Sequence, residues 1–268
     1  VYASGMDALT AGFSRIGKVI LVTSTKNYNP GGKSVWDYFS TGFDTLQGFQ
    51  YIELRANQKL AVYSAPSKSA WRGANGKAMV NTNGAIYARG GELKLIGVEV
   101  KGNTNAEKTA TYGGGAMQIR NGAKVTVEYA RFTGNTAGSD GGAICIKNGS
   151  LLAENTVFTG NTAGISGGAI YLENSSCRAE LENCEVTGNT AAGAAIYVSG
   201  ATAVLKETKI ADNVNNSVSG GGSAVHTAAS GKTSLHSCTV TGNKNTNATA
   251  YAGAVYLPNS NSSLTVSG

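Results

Sequence analysis

Two short sequence words return along most of this chain at a nearly fixed interval, and that recurrence limits its fold more than any local motif does. One word is a small residue, then Ala, then an apolar residue: Gly84-Ala85-Ile86, Gly115-Ala116-Met117, Gly142-Ala143-Ile144, Gly168-Ala169-Ile170, Ala194-Ala195-Ile196, Ser223-Ala224-Val225 and Gly253-Ala254-Val255. Its alanines lie 31, 27, 26, 26, 29 and 30 residues apart. The other word is an apolar residue with Asn three places later: Val100 with Asn103, Phe132 with Asn135, Phe158 with Asn161, Val186 with Asn189, Ile210 with Asn213 and Val240 with Asn243. Self-similarity of this kind belongs to solenoids, in which each repeat covers its apolar face by stacking on its neighbours.

Inside a repeat the apolar period is two. Ile170 and Leu172 fall on one side of the chain with Ala169 and Tyr171 on the other, and Ile144/Ile146, Ile196/Val198 and Val255/Leu257 repeat the arrangement. A second alternating segment puts Ala179 and Leu181 on one face, as it does Ala203 and Leu205. Alternation over a few residues predicts half-buried strands, and no stretch of the repeats carries the helical period that leucine-rich or ankyrin repeats require. Coiling such strands places equivalent residues about 4.8 Å apart, so each inward position becomes a continuous apolar stack. The sequence therefore predicts an all-β chain folded as a parallel β-helix.

The turns account for the rest of the word. Gly and Asn adopt the left-handed and tight conformations needed where a coil changes direction. An Asn at the same corner of every coil predicts an amide ladder through Asn103, Asn135, Asn161, Asn189, Asn213 and Asn243, of the kind stacked β architectures use.

Taken together, Phe-x-x-Asn and Gly-Gly-Ala-Ile resemble the repeats of the polymorphic outer-membrane protein family, bacterial autotransporter adhesins with a right-handed β-helical passenger. The resemblance covers roughly residues 84–257 and is strongest at Phe132 to Asn161 and Gly141 to Ile170. Later repeats, such as Ile210-Ala-Asp-Asn213 and Ser223-Ala224-Val225, keep the pattern but change the letters. It implies a right-handed β-helix, an exported or cell-surface location, and a role in contact with host or neighbouring cells.

Composition narrows the reading further. Charged residues are 14 % of the chain, too few for a disordered polyelectrolyte. No run of eighteen apolar residues is present, so no membrane-spanning helix is expected. The net charge of +6 is uneven: residues 1–90 hold ten Lys or Arg against four Asp or Glu, and residues 91–268 hold twelve of each. A basic N-terminal third suits an acidic glycan or anionic surface, and equally suits scattered solubilising lysines. No nucleic-acid-binding module accompanies the charge. The chain starts at Val1 without a signal peptide and ends on what reads as half a repeat, so it is expected to be a fragment of a longer exported protein.

Along the chain, residues 6–16 predict a short capping helix with Leu9, Phe13 and Ile16 on one side, followed by a strand from Lys18 to Thr23. Residues 1–83 are read as this cap and irregular first coils, with excursions holding Trp36 and Trp71, and residues 84–268 as regular coils of the same domain.

Three constellations carry candidate chemistry. The first is an outward column on the Gly-Gly-Ala-Ile strand: Tyr87, Gln118, Cys145, Tyr171, Tyr197, His226 and Tyr256. Rings on a rigid face suit stacking against sugars or anchoring a protein partner, and they also suit plain strand stability. Tyr171, Tyr197 and Tyr256, with Trp36 and Trp71, are the expected contact residues. The second is the stripe Glu128, Glu154 and Glu182, one coil apart, continuing into Lys206 and His236. Paired carboxylates are what a glycoside hydrolase needs, whereas strand alternation makes the same stripe a solvated face. The third is cysteine: Cys184 and Cys238 share a repeat position two coils apart, roughly 9.6 Å, beyond disulfide reach. A Cys177–Cys184 bridge is left open. Without Cys-x-x-Cys and with two histidines, no metal site or cofactor is expected.

The functional expectation is an adhesin that contacts a surface protein or glycan. Two alternatives stand beside it, a polysaccharide lyase or hydrolase built on the same scaffold and a structural spacer.

Overall fold

A computed structural model describes residues 18–22, 52–55, 59–64, 69–71, 80–81, 86–90, 92–96, 98–106, 108–109, 113–246 and 252–268; before Ile86 the backbone alone is described. The capping helix expected over 6–16 and the excursion holding Trp36 lie outside these residues. Trp71 closes the strand Ser69–Trp71, and its side chain is likewise outside the description.

Each coil is laid down as four short strands. In the coil that opens at Ile170 these are Ile170–Glu173, Cys177–Glu182, Glu185–Thr187 and Thr190–Ala191. Equivalent strands of successive coils pair in parallel and build sheets of eight, nine, seven and seven strands, here sheets I to IV. Register is set by the buried face. Ile144, Ile170, Ile196 and Val225 stack in sheet I, and Val127, Ala153, Leu181 and Leu205 stack in sheet II. A slip by one residue would turn every one of these to solvent. In sheet III, Phe132 and Phe158 stack inside the core with ring centroids 5.1 Å apart. Among the described residues the chain is all-β.

The sheets reach back through Ile52–Arg55, Lys59–Ser64, Ser69–Trp71 and Val80–Asn81. A four-strand pattern is thus in place before residue 84, where the repeat words first become recognisable. Lys18–Val22 breaks the rule by pairing antiparallel with Lys59–Ser64 at the N-terminal edge of sheet II. A short antiparallel strand there occupies an edge that would otherwise template further pairing.

Two corners use one left-handed residue each. Between sheets II and III it is Tyr129, Asn155, Asn183, Glu207 or Ser237, with φ of 48–52°. Between sheets III and IV it is Gly102, Gly134, Gly160, Gly188, Asp212 or Gly242, with φ of 56–64°. In four of the five first corners the residue after the left-handed one holds the bend from inside: Thr156 and Thr208 hydroxyls and Cys184 and Cys238 thiols donate to carbonyls of the preceding coil, whereas Tyr129 is followed by Ala130.

The Asn after the second corner runs a continuous ladder. Asn103, Asn135, Asn161, Asn189 and Asn213 each donate through Nδ2 to the Oδ1 of the next Asn at 2.8–3.0 Å, ending on Asn243. The same Oδ1 atoms accept the backbone N–H of the preceding Asn. From Asn135 onward, each Nδ2 also donates to a carbonyl of the coil before, Phe132 for Asn161 and Phe158 for Asn189. Asn103 to Asn213 are fully buried, so this amide column satisfies corner backbone that water does not reach.

Candidate functional site

The outer side of sheet I carries a column of rings. Tyr171, Tyr197, His226 and Tyr256 are register neighbours in successive coils. Their centroids lie 5.6 Å apart for Tyr171–Tyr197, 4.4 Å for Tyr197–His226 and 5.0 Å for His226–Tyr256, the last pair edge-on. All four are half-buried. The expected flat exposed column is corrected in its middle, where Gln118 and Cys145 are fully buried between half-buried Tyr87 and Tyr171.

The reason lies in the glycines before the strand. The connection from sheet IV folds back over the outer face of sheet I instead of passing beside it. A Cβ on Gly113 would sit 2.7 Å from the Cys145 Sγ, and one on Gly141, already at φ +69°, 2.4 Å from the Ile144 carbonyl oxygen. Only glycine permits backbone to approach another strand this closely. The Gly-Gly of the repeat thus lets the connection lie against the outer face of sheet I, at Gly167 before Tyr171 as at Gly141 before Cys145.

Beside Gly141 in that connection sits a carboxylate that the sequence reading did not single out. Asp140 is 3 % exposed and its Oδ1 accepts the Ser166 N–H at 3.2 Å. Burial pushes its pKa up to about 6, with Lys147 pulling the other way. The Lys147 side chain is itself largely covered; its Nζ meets Glu173 Oε2 at 2.5 Å and stands 5.6 Å from the Tyr171 ring centroid. Burial, then the charge of Asp140, holds the Tyr171 phenol well above its usual range, and burial also raises Tyr197. The one sequence signal for this cluster was an acid in a turn that elsewhere holds Gly113 or Ser166.

A family model described as a right handed beta helix region matches residues 80–268. The chain belongs to the right-handed β-helix family. No curated protein and no solved structure matches it. The family includes enzymes and non-enzymes, so the chemistry of this β-helix has to be argued from its own side chains.

Glu128, Glu154 and Glu182 form an in-register column on the outer face of sheet II, continuing into Lys206 and His236. Its members enter ordinary surface ion pairs: Lys94 with Glu128 at 2.8 Å and Lys206 with Glu182 at 3.7 Å. Lys206 also meets Glu180 at 2.8 Å, and that hydrogen bond lowers the Glu180 pKa. Exposed pairs of this kind contribute about 0–1 kcal/mol each. Among the described residues no group of His, Cys, Asp or Glu has metal-binding geometry.

All four cysteines of this β-helix are free thiols. Cys177 opens the strand Cys177–Glu182 and Cys184 follows the corner after it, and their thiols donate to carbonyls of Glu173 and Ala153. Burial raises both, Cys184 to about 11, which keeps it a thiol at neutral pH.

Asp140 and His226 give the site opposite responses to acid. Burial lowers the His226 pKa to about 4, and its Nε2 has no hydrogen-bond partner among the described residues. Asp140 favours its neutral form in the fold, so the stability it lends is full below pH 3.8 and is lost as pH rises through about 6. His226 also favours neutrality, so its stability is full above pH 6.5 and is lost as pH falls through about 4. Asp140→Asn is expected to raise stability at pH 7.5 by as much as about 3 kcal/mol and to leave it unchanged near pH 4. His226→Phe, which keeps a ring in the stack, is expected to stabilise at pH 4 and not at pH 7.5. Chemical denaturation at both pH values checks the pair, and parallel shifts at the two pH values would sink the assignment.

Proposed function

We propose that this β-helix is an exported, cell-surface or secreted adhesin whose contact surface is the ring column Tyr171, Tyr197, His226 and Tyr256. What supports the reading is the column itself: four aromatic rings, half-exposed, held in register on a rigid sheet. Rings fixed in this way lose little conformational freedom on binding, which is why aromatic side chains dominate the energetics of contact surfaces. A partner would be a glycan or protein of a host or neighbouring cell. The polymorphic outer-membrane-like repeat words favour the same habitat, and the basic N-terminal third remains proposed for acidic glycans. Trp36 and Trp71 stay candidate contacts on the sequence argument.

The test is binding to cells and to a mixed glycan array, with released products followed from the same wells. Retention without cleavage is expected, with Tyr171→Ala/Tyr197→Ala reducing it at least about tenfold, the scale of losing central aromatic anchors. Unchanged retention in that variant would place the contact surface away from the rings, and no retention of the unaltered chain would leave a spacer.

A polysaccharide-cleaving enzyme is the second reading, and one observation favours it: Asp140 is a buried carboxyl with a raised pKa close to the ring column. Product release abolished by Asp140→Asn would establish it over the adhesin, while release abolished by Glu128→Gln, Glu154→Gln or Glu182→Gln would move the chemistry to sheet II.

A further inference from the structure

A notch opens beside the ring column, and it arises from turn length. The link from sheet I to sheet II holds three residues in the coil of Asn174, two in the next coil (Gly200 and Ala201), and three again in the coil of Ala229. The shorter turn is recessed between its longer neighbours. A Cβ on Gly200 would lie 3.2 Å from the Ala229 carbonyl oxygen and 3.5 Å from the Asn174 Cα, so both walls close on a floor without a side chain. The cavity has a volume of about 600 Å³, with Ser175, Ser199, Thr202 and Ser230 among its lining residues and Glu173 and Lys232 as the charged ones. That size lies within the range of about 300–1,000 Å³ used for small ligands.

The lining selects a chemistry. It offers no large apolar side chain, so neither a lipid nor a hydrophobic peptide anchor fits. Serine and threonine hydroxyls donate and accept at once, which matches a ligand that is itself a ring of hydroxyls. The Glu173 carboxylate is paired with Lys147 through Oε2 at 2.5 Å, which offsets its charge and leaves Lys232 as the cation that an anionic group in the notch would meet. Tyr171 and Tyr197 stand two residues before Glu173 and Ser199 on the same strands, about 7 Å along them. We infer that the notch and the rings form one extended saccharide site: because Tyr171 and His226 flank the two faces of Tyr197, a sugar lies along the outer edges of the rings and hydrogen-bonds their hydroxyls, and its neighbour, carrying an anionic substituent, enters the notch with that group against Lys232. The inference rests on the ring column being the contact surface and adds the ligand class.

The test uses the full chain with three probes, 3′-sialyllactose, a sulfated lactose and unsubstituted lactose, titrated by calorimetry and by NMR. At least one anionic probe is expected to bind about tenfold or more tightly than lactose, the difference between carboxylate and sulfate identifying the source of the charge. Gly200→Asn fills the notch with a residue that tolerates the local φ of +66°, as Asn174 does at +75°, and is expected to remove binding of the anionic probe. Lys232→Gln, an exposed change with no folding risk, is expected to abolish the preference for charge. Loss on Tyr197→Leu, with both notch variants binding normally, would overturn the notch and spare the rings. Loss on the notch variants alone would overturn the ring column as the contact surface, and with it the single extended site. Absence of binding by all three probes would overturn the saccharide assignment.

Discussion

Asn161→Ala is expected to lower the stability of the chain by about 4 kcal/mol, a large value for one polar side chain. The Asn161 side chain donates to Asn189 Oδ1 and the Phe132 carbonyl at 2.9 Å each, and its Oδ1 accepts the Asn135 N–H and Nδ2 at 3.0 Å each. Truncation leaves those groups without their partner in a corner that is fully buried. An unsatisfied buried group costs about 1–3 kcal/mol, and water entering the vacated space recovers part of the total. Asn161→Asp is the sharper comparison, since it keeps the acceptor and replaces the donor with a buried charge; it is expected to be at least as damaging at pH 7 and milder in acid. Urea denaturation of the three proteins measures this. A loss below about 1 kcal/mol for Asn161→Ala would mean the ladder is redundant with the backbone bonds on either side.

Phe158→Ala is expected to cost about 3–5 kcal/mol, by cavity formation instead of lost hydrogen bonds. Phe158 is fully buried, stacked on Phe132 at an interplanar angle of 10°, and followed in its column by Val186 and Ile210. The coils above and below are fixed by their own ladders, so the hole cannot close by sliding one strand. Phe158→Leu is expected to lose less than half as much. Because a solenoid is held by nearest-neighbour interfaces, the damage should stay local. Hydrogen exchange is expected to accelerate in the coils of Phe132, Phe158 and Val186 and to change little around Leu235. Uniform acceleration along the chain would show instead that the coils unfold as one unit.

The repeat words determined a great deal by themselves. Strand type, coil length, the inward columns and the amide corner all follow from period-two alternation plus an Asn that returns once per coil. These are local or nearest-neighbour properties, and stacking simply copies them from one coil to the next. For the same reason the glutamate stripe was legible as a column, and its alternate reading as a solvated face agrees with the surface ion pairs it makes.

Tertiary structure decided what the outward columns face. Tyr171 and Cys145 occupy equivalent places in the sequence word, yet one is half-exposed and the other buried. Cys145 lies under the Gly113 backbone of the coil before, where the coil before Tyr171 carries Asp140 instead. No periodicity encodes that packing. Asp140 gains its raised pKa from burial that likewise only the folded chain decides. The notch at Gly200 depends on a one-residue difference between the turns above and below it, a comparison that acquires meaning only once three coils are stacked. The sequence alone thus determined the rod and its repeating faces, because those depend on neighbours one coil away. Folding alone decided where the rod is covered and where it is open, because covering depends on how connections of unequal length pack over faces that look identical in one dimension.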